Sequence, residues 1–244
     1  MPTYQVRKDA ESYGQALGIL SLEHPMPFIP GSVGNVSTYR YPVIVKVVKG
    51  LAFERVFRGD PECAGMLVEA ARELEAQGVK AISSNCGFMI KYQDDVARAV
   101  TVPVLMSSLL QLPLIAASSG KTRPIGMITA DDRGMGNDML LLAGVETETP
   151  IIVKGMQERP EFKRSTLEMC GTLDSDLVEE ETVAVARELL DEHPDLAAIL
   201  LECSELPPYA RAVQAATGVP TYDFITMIDY LYAGTHRTAF EGSY

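Results

Sequence analysis

The sequence predicts an α/β protein made of two similar domains, each with a parallel sheet flanked by helices. Three observations predict this fold. Short apolar runs alternate along the 244 residues with segments of helical periodicity, as in strand–helix–strand units. The apolar runs are continuous rather than alternating, which is typical of strands buried in parallel sheets. The second half of the chain also repeats features of the first.

The repeat is centred on Cys86 and Cys203, which lie 117 residues apart. When residues 81–116 are aligned without gaps on residues 198–233, 10 of the 36 positions are identical and the two cysteines coincide. A proline follows each cysteine by seventeen residues. The pattern indicates two pseudo-symmetric half-proteins, each of which presents one thiol.

Eight strands are predicted, four on each side of a small polar segment at 117–123 that is the best domain boundary. They span 15–20, 42–48, 80–84, 102–106, 124–129, 150–153, 196–202 and 219–222. In the first half, Asp60 can cap a helix and Gly78 can end it, so a helix is predicted between them. The corresponding helix of the second half begins near 174–176 and continues to about Glu192.

Composition disfavours several classes of protein. A net charge of −12 disfavours a nucleic-acid partner, because phosphate binding requires clustered Lys and Arg. The chain has no apolar signal core at its N-terminus and no run of roughly 18 apolar residues, so we expect a cytoplasmic protein without a membrane partner. Four cysteines are too few for a disulfide scaffold, which favours free thiols in a reducing compartment. His24, His193 and His236 lack the spacing of ligands, so we expect no metal.

Each central cysteine follows a predicted strand and precedes a predicted helix. Ligands of parallel α/β sheets bind beyond the carboxyl ends of the strands, and a helix N-terminus there is expected to lower the pKa of a thiol toward neutrality. If the halves face each other, Cys86 and Cys203 flank one substrate in the cleft. One thiolate then removes a proton and the opposite thiol delivers one, which is the chemistry of racemisation.

The carbanion of such a reaction must be stabilised by donors aimed at the substrate carboxylate. The candidates are backbone amides and polar side chains next to the two cysteines and at the end of the first strand of the second half. They are the amides of Gly87 and Ser204 and the side chains of Ser84, Asn85, Thr129 and Ser204.

Two motifs give the chain a resemblance to the aspartate/glutamate racemase superfamily. The run Glu-Cys203-Ser-Glu205-Leu resembles the Gly-Cys-Thr-Glu-Leu of aspartate racemases, with Glu205 at the acidic position. The run Val219-Pro-Thr-Tyr-Asp223 is similar to the apolar-Pro-x-x-Asp strand of that family. The first motif departs, because aspartate racemases read Cys-Asn-Thr whereas here Asn85 precedes the cysteine.

The resemblance implies a cofactor-independent enzyme, a homo-oligomer, and a C-terminal helix that crosses back to the first domain. On this basis the first domain is predicted to comprise residues 1–118 and 224–244 and to carry Cys86. The second domain is predicted to comprise residues 119–223 and to carry Cys203. Glu205 joins the predicted substrate-binding residues.

The main functional hypothesis is racemisation or epimerisation of an amino acid or a derivative, similar to aspartate or glutamate, by the two thiols at its α-carbon. One alternative is another member of the same superfamily, either maleate isomerase-like or decarboxylase-like. A second alternative is a non-catalytic, two-lobed protein that binds a small acid. A cysteine hydrolase with His24 as base is a weaker hypothesis, since it leaves one cysteine without a role.

The long loop at 24–41 is interpreted as a lid or a substrate-contact segment, because loops of this length in compact domains are often functional. Arg40, near its end, could bind a carboxylate, although a surface position is favoured. Cys63 and Cys170 are interpreted as packing or incidental residues. Asp223 is interpreted as the cap of the final helix rather than a ligand contact.

Overall fold

In a computed structural model, the described residues are 2–6, 8, 10, 12–145 and 149–242. Their strands form two four-stranded sheets in which every pairing is parallel. The first sheet comprises β1 (Leu17–Ser21), β2 (Val43–Val47), β3 (Ala81–Ser84) and β4 (Val104–Leu105). The second comprises β5 (Ile125–Thr129), β6 (Ile151–Gly155), β7 (Ala198–Leu201) and β8 (Thr221–Tyr222).

Helices cover both sheets. In chain order they are α1 (Phe53–Arg58), α2 (Glu62–Ala76), α3 (Gln93–Ala99), α4 (Leu112–Ser118), α5 (Asn137–Leu142), α6 (Pro160–Phe162), α7 (Ser175–Glu192), α8 (Ala210–Thr217) and α9 (Phe224–Thr235). Short 3₁₀ segments span Val36–Thr38, Gly87–Tyr92, Ser108–Gln111, Asp132–Gly134 and Pro207–Tyr209, and a π turn spans Lys163–Leu167. Within the described part of the chain, no helix combines the length and apolarity needed to cross a membrane.

The two sheets have the same strand order, which confirms the predicted α/β fold with two similar halves. The orders are β2-β1-β3-β4 and β6-β5-β7-β8. The registers also correspond, since Leu17 pairs with Ala81 in one sheet and Ile125 pairs with Ala198 in the other. In each half the central cysteine therefore follows the third strand in chain order, at the carboxyl edge of its sheet.

All eight predicted strands form, and the helix caps act as expected. The Oδ1 atom of Asp60 accepts a hydrogen bond from the amide of Glu62 at 3.0 Å, so it caps the first turn of α2. Asp174 does the same for α7, by accepting from two amides of the first turn. Asp223 forms a capping box with Thr226 at the start of α9, as the sequence indicated.

The final helix packs against the first sheet. Buried side chains of α9, namely Phe224, Met227, Ile228 and Leu231, form one cluster with Leu17, Ile19 and Ala81 of β1 and β3. This packing returns the chain from the end of β8 to the first half of the molecule. The proposed domain boundaries at 118/119 and 223/224 stay a prediction. Of the residues assigned to these two domains, 1, 7, 9, 11, 146–148, 243 and 244 lie outside the described residues.

A close contact between α2 and β1 makes one core position sensitive to truncation. Leu74 is fully buried, and its Cδ1 atom would lie only 2.7 Å from a Cβ placed on Gly18. We expect Leu74→Ala to reduce the free energy of unfolding by roughly 2–5 kcal/mol, because the backbone of a central strand cannot collapse into the space. Urea denaturation measures this change.

Leu114→Ala is the matched control, since the Leu114 side chain is 64% exposed on α4. We expect its effect to stay within about 0.5 kcal/mol. Equal effects of the two substitutions would contradict the packing described for Leu74.

Candidate active site

The two repeated cysteines line one cavity between the halves of the molecule. Cys86 lies at the end of β3 and is the N-cap residue of the 3₁₀ segment Gly87–Tyr92, while Cys203 lies just beyond β7. Both side chains are buried, with exposed fractions of 6% and 8%. The two sulfurs interact electrostatically, so a thiolate at Cys86 raises the pKa of Cys203 and disfavours a second thiolate there.

The wall of this cavity combines apolar side chains with acidic ones. Its apolar members come from several loops and helices, and they are Leu22, Phe53, Phe88, Ala130, Leu167 and Met169. Its remaining members are His24, Asn85, Cys86, Gly87, Thr166, Glu202, Cys203, Ser204 and Glu205. None of these lining residues is a lysine or an arginine, and two of them are buried glutamates.

Hydrogen bonds join the two strand ends that carry the thiols. The hydroxyl of Ser204 donates to the backbone carbonyl of Asn85 at 2.6 Å. The side-chain amide of Asn85 in turn accepts from the amide of Leu22 and donates to the hydroxyl of Ser21, both at 2.9 Å. Ser108 donates across the same boundary to the carbonyl of Glu202 at 3.2 Å. The positions of both thiols therefore depend on contacts between the halves.

Glu202 is 1% exposed, and its charge raises the pKa of both cysteines. Its Oε2 atom accepts a hydrogen bond from Thr129 at 2.7 Å, and its Oε1 atom has no hydrogen-bond partner among the described residues. A Cβ placed on Gly87 would lie 1.6 Å from Oε1, so the absence of a side chain at position 87 provides the space for this carboxyl group. Burial raises the pKa of Glu202 to about 7, although the bond from Thr129 opposes the shift.

Glu205 is the second buried carboxyl group of the wall. Burial raises its pKa to about 7, while hydrogen bonds from Ser32 and Ser204 act in the opposite direction. Ser32 belongs to the long loop after β1, whose residue Val33 also donates its amide to the carbonyl of Ser204 at 3.2 Å. The loop is thereby attached to the second half of the molecule beside the cavity.

The expectation that the thiols have lowered pKa values is wrong. Burial, and then the charge of Glu202, raise the pKa of Cys86 to about 12, although the amides of Phe88 and Met89 donate to its sulfur. Burial, and then Glu205, raise the pKa of Cys203 well above its usual value. The short 3₁₀ turn supplies donors, but they do not offset the loss of water and the nearby carboxylates.

Some of the predicted substrate-binding residues lie on the wall and others behind it. Asn85, Gly87, Ser204 and Glu205 line the cavity. The hydroxyl of Ser84 instead donates to the carbonyl of Met106, and that of Thr129 donates to Glu202. Contact of any of these residues with a substrate stays a prediction.

Other predicted residues lie away from the wall or at its edge. Arg40 is exposed and does not line the cavity, as favoured from the sequence. From the loop at 24–41, His24 reaches the wall, and burial lowers the pKa of its imidazole. Cys63 is fully buried on α2 and Cys170 is exposed.

Sequence reasoning missed the apolar wall and left the role of Glu202 open. One signal existed for Glu202, since it stands where aspartate racemases have glycine in the second motif. Phe53, Leu167 and Met169 carry no such signal, because they reach the cavity only through tertiary packing. Within the described ranges, no group of three or more His, Cys, Asp and Glu side chains is placed to hold a metal ion.

Comparison with known proteins gives relatives in sequence and in structure, and no family model matches the chain. The chain is 33% identical over 234 residues to a dimethylsulfoniopropionate lyase of Durusdinium sp. clade D, covering 93% of this chain and 77% of that protein. It is 36% identical over 222 residues to dimethylsulfoniopropionate lyase 7 of Emiliania huxleyi, covering 86% of this chain and 64% of that protein. The chain thus spans less than two thirds of the Emiliania relative.

Solved structures share the fold at low sequence identity. A sulfate-associated variant of arylmalonate decarboxylase has a TM-score of 0.63 and 17% identity, with coverage of 92% of this chain and 96% of that chain. A glutamate racemase from Bacillus anthracis has a TM-score of 0.56 and 15% identity, with coverage of 88% and 82%. The expected fold of the Asp/Glu racemase superfamily is therefore confirmed.

The four cysteines are expected to differ in reactivity. Hydrogen bonds with Thr172, together with the nearby Arg164, lower the pKa of the exposed Cys170, whereas the pKa values of Cys86 and Cys203 are raised. Since the thiolate is the nucleophile, we expect iodoacetamide at pH 7 to label Cys170 at least about tenfold faster than either cavity cysteine. Peptide mapping by mass spectrometry measures these rates.

The control is Cys170→Ser, which should remove the fast phase and leave the slow labelling unchanged. Fast labelling of Cys86 or Cys203 in that variant would contradict the raised pKa values.

Proposed function

This chain belongs to the dimethylsulfoniopropionate lyase family, and we propose that it cleaves dimethylsulfoniopropionate or a closely related sulfonium carboxylate. That substrate has a positively charged dimethylsulfonium group at one end and a carboxylate at the other. In the elimination, a base removes a proton from the carbon next to the carboxylate. The electrons of that C–H bond form a carbon–carbon double bond, and the C–S bond breaks with its electron pair going to sulfur. The products are dimethyl sulfide and acrylate.

The observation that carries this proposal is the composition of the cavity wall. It combines two thiols with two buried carboxyl groups and contains no lysine or arginine among its lining residues. A dicarboxylic amino acid carries two carboxylates and one ammonium group at neutral pH, so it brings a net negative charge to this acidic wall, where like charges disfavour binding. A sulfonium carboxylate brings a cation to it and only one anionic group. The wall and the sequence relatives thus support the alternative, a decarboxylase-like member of the same superfamily rather than a racemase, better than the main hypothesis.

A cationic substrate also accounts for the chemistry of the thiols. Burial and nearby carboxylates keep the thiols protonated at neutral pH. A positive charge within about 4–6 Å lowers the pKa of a thiol, so the bound sulfonium group favours loss of the thiol proton to solvent, and the thiolate that remains is the base. At Cys86 the amides of Phe88 and Met89 add to this stabilisation. The substrate is thereby deprotonated only when it is correctly bound.

The carboxylate end needs donors, and the backbone supplies them. Gly87 is the first residue of the 3₁₀ segment, and amides of a first turn have no partner within the segment. Such amides stabilise the negative charge that develops on the carboxylate as the proton leaves. In this proposal Gly87 and Ser204 keep the role predicted from the sequence. The absence of a cofactor, the small-acid substrate, the oligomeric state and the lack of a nucleic-acid partner all stay predictions.

Elimination requires one base, so the two cysteines should contribute unequally. We expect the wild-type protein to release dimethyl sulfide and acrylate in equal amounts from dimethylsulfoniopropionate. One of Cys86→Ser and Cys203→Ser should reduce kcat by about 10²–10⁴-fold, as loss of a general base does, and the other should have a smaller effect. Headspace gas chromatography and NMR measure the two products. The proposal is wrong if none of the three proteins releases dimethyl sulfide.

A two-base racemase behaves differently in heavy water. We expect no deuterium exchange at the α-carbon of either enantiomer of aspartate, glutamate or a hydantoin, as measured by NMR with the wild-type protein. Exchange that both cysteine substitutions abolish would instead support racemisation and overturn the lyase proposal. Exposed Cys170→Ser serves as the matched control, because it removes a thiol outside the cavity wall.

A further inference from the structure

The carboxyl group of Glu202 is buried with one oxygen that no described residue satisfies. Thr129 donates to its Oε2 atom, whereas Oε1 is without a partner beside Gly87. An unsatisfied buried polar oxygen destabilises a fold, and does so more strongly when the group is charged. Because Glu202 belongs to the wall of the cavity, the charge of this carboxyl group acts on a ligand bound there.

The groups around Glu202 include no cation on the wall. Cys86, Cys203 and Glu205 are either neutral or negative, and burial lowers the pKa of His24, which favours its neutral form. Lys91 is a cationic side chain whose charge acts on Cys86, but its ammonium group donates to the carbonyl of Phe57 and it does not line the cavity. The charge of Glu202 is therefore not balanced by the residues of the wall.

We propose that Glu202 supplies the counter-charge for the cationic end of the substrate and thereby selects a cation over a neutral group of the same shape. This inference rests on the proposed lyase function and assigns its specificity to one side chain. The rings of Phe53 and Phe88 line the same cavity with centroids 6.0 Å apart. Aromatic rings attract onium cations, and since the ammonium group of Lys91 already lies 5.7 Å from the centroid of Phe88, Phe53 is the ring expected to complement the carboxylate.

The selection should depend on pH. The pKa of Glu202 is raised to about 7, so the group is mainly neutral below this pH and negatively charged above it. Preference for a cation should therefore increase as the pH rises from 6 to 8. Glu205 titrates in the same range and faces the same cavity, so the substitution of Glu202 alone is needed to assign the effect.

Two unreactive isosteres provide the test. 3-(Trimethylammonio)propanoate and 4,4-dimethylpentanoate have the same shape and differ in whether nitrogen or carbon carries the three methyl groups. At pH 8 we expect the wild-type protein to bind the cationic compound at least about tenfold more tightly, which corresponds to about 1.4 kcal/mol. In Glu202→Gln the two compounds should bind with dissociation constants within about twofold of each other, as measured by calorimetry. Glu180→Gln, an exposed glutamate of α7, should leave the ratio at its wild-type value.

The outcomes separate this inference from the proposed function. Release of dimethyl sulfide together with equal binding of the two isosteres overturns the role of Glu202 but not the lyase activity. A wild-type ratio that persists in Glu202→Gln also overturns it. If the Glu202→Gln variant does not fold by circular dichroism, Glu205→Gln decides: a ratio that still rises from pH 6 to 8 in that variant is the expected result, and a ratio that becomes constant is the contrary one. Failure of dimethyl sulfide release removes the lyase premise itself.

Discussion

The hydrogen bond from the hydroxyl of Ser204 to the carbonyl of Asn85 joins the two strand ends on which the candidate site is built. One partner precedes the first thiol and the other follows the second, so the bond sets the separation of Cys86 and Cys203. Parallel strands place their carboxyl ends at one edge of each sheet, and the matching strand orders bring these edges together at the cavity. The loop that contains Ser32 is attached to the same turn, because Ser32 forms a hydrogen bond with the side chain of Glu205.

Much of the fold was predictable because it depends on local pattern. Continuous apolar runs located all eight strands, and Asp174 and Asp223 marked the helix starts that they cap. The thiol pair was also predictable, because the repeat aligns the cysteines at equivalent strand ends. The burial of Glu202 was not, since it depends on the missing side chain of Gly87 in the other half. No periodicity within either segment reports such a contact.

The raised pKa values of the thiols illustrate the same limit. A cysteine at the start of a helical turn is expected to be acidic when only its own segment is considered. In the folded chain, Cys86 and Cys203 lie in an enclosed wall with two carboxyl groups, and these surroundings have the larger effect. The fold shared with racemases and decarboxylases therefore does not by itself determine the chemistry. The charges that line the cavity distinguish the candidate reactions.

The contact between Gly87 and Glu202 also restricts how this cavity can diversify during evolution. Any side chain at position 87 would overlap the Glu202 carboxyl group, so that position accepts a larger residue only after Glu202 has become smaller. The two positions therefore vary as one unit, although they belong to different halves of the molecule. A single substitution at position 87 disrupts the wall. A change at both positions instead removes the Glu202 carboxyl group and alters the shape of the wall. A version of this cavity that carries a side chain at position 87 therefore requires a change at Glu202 as well.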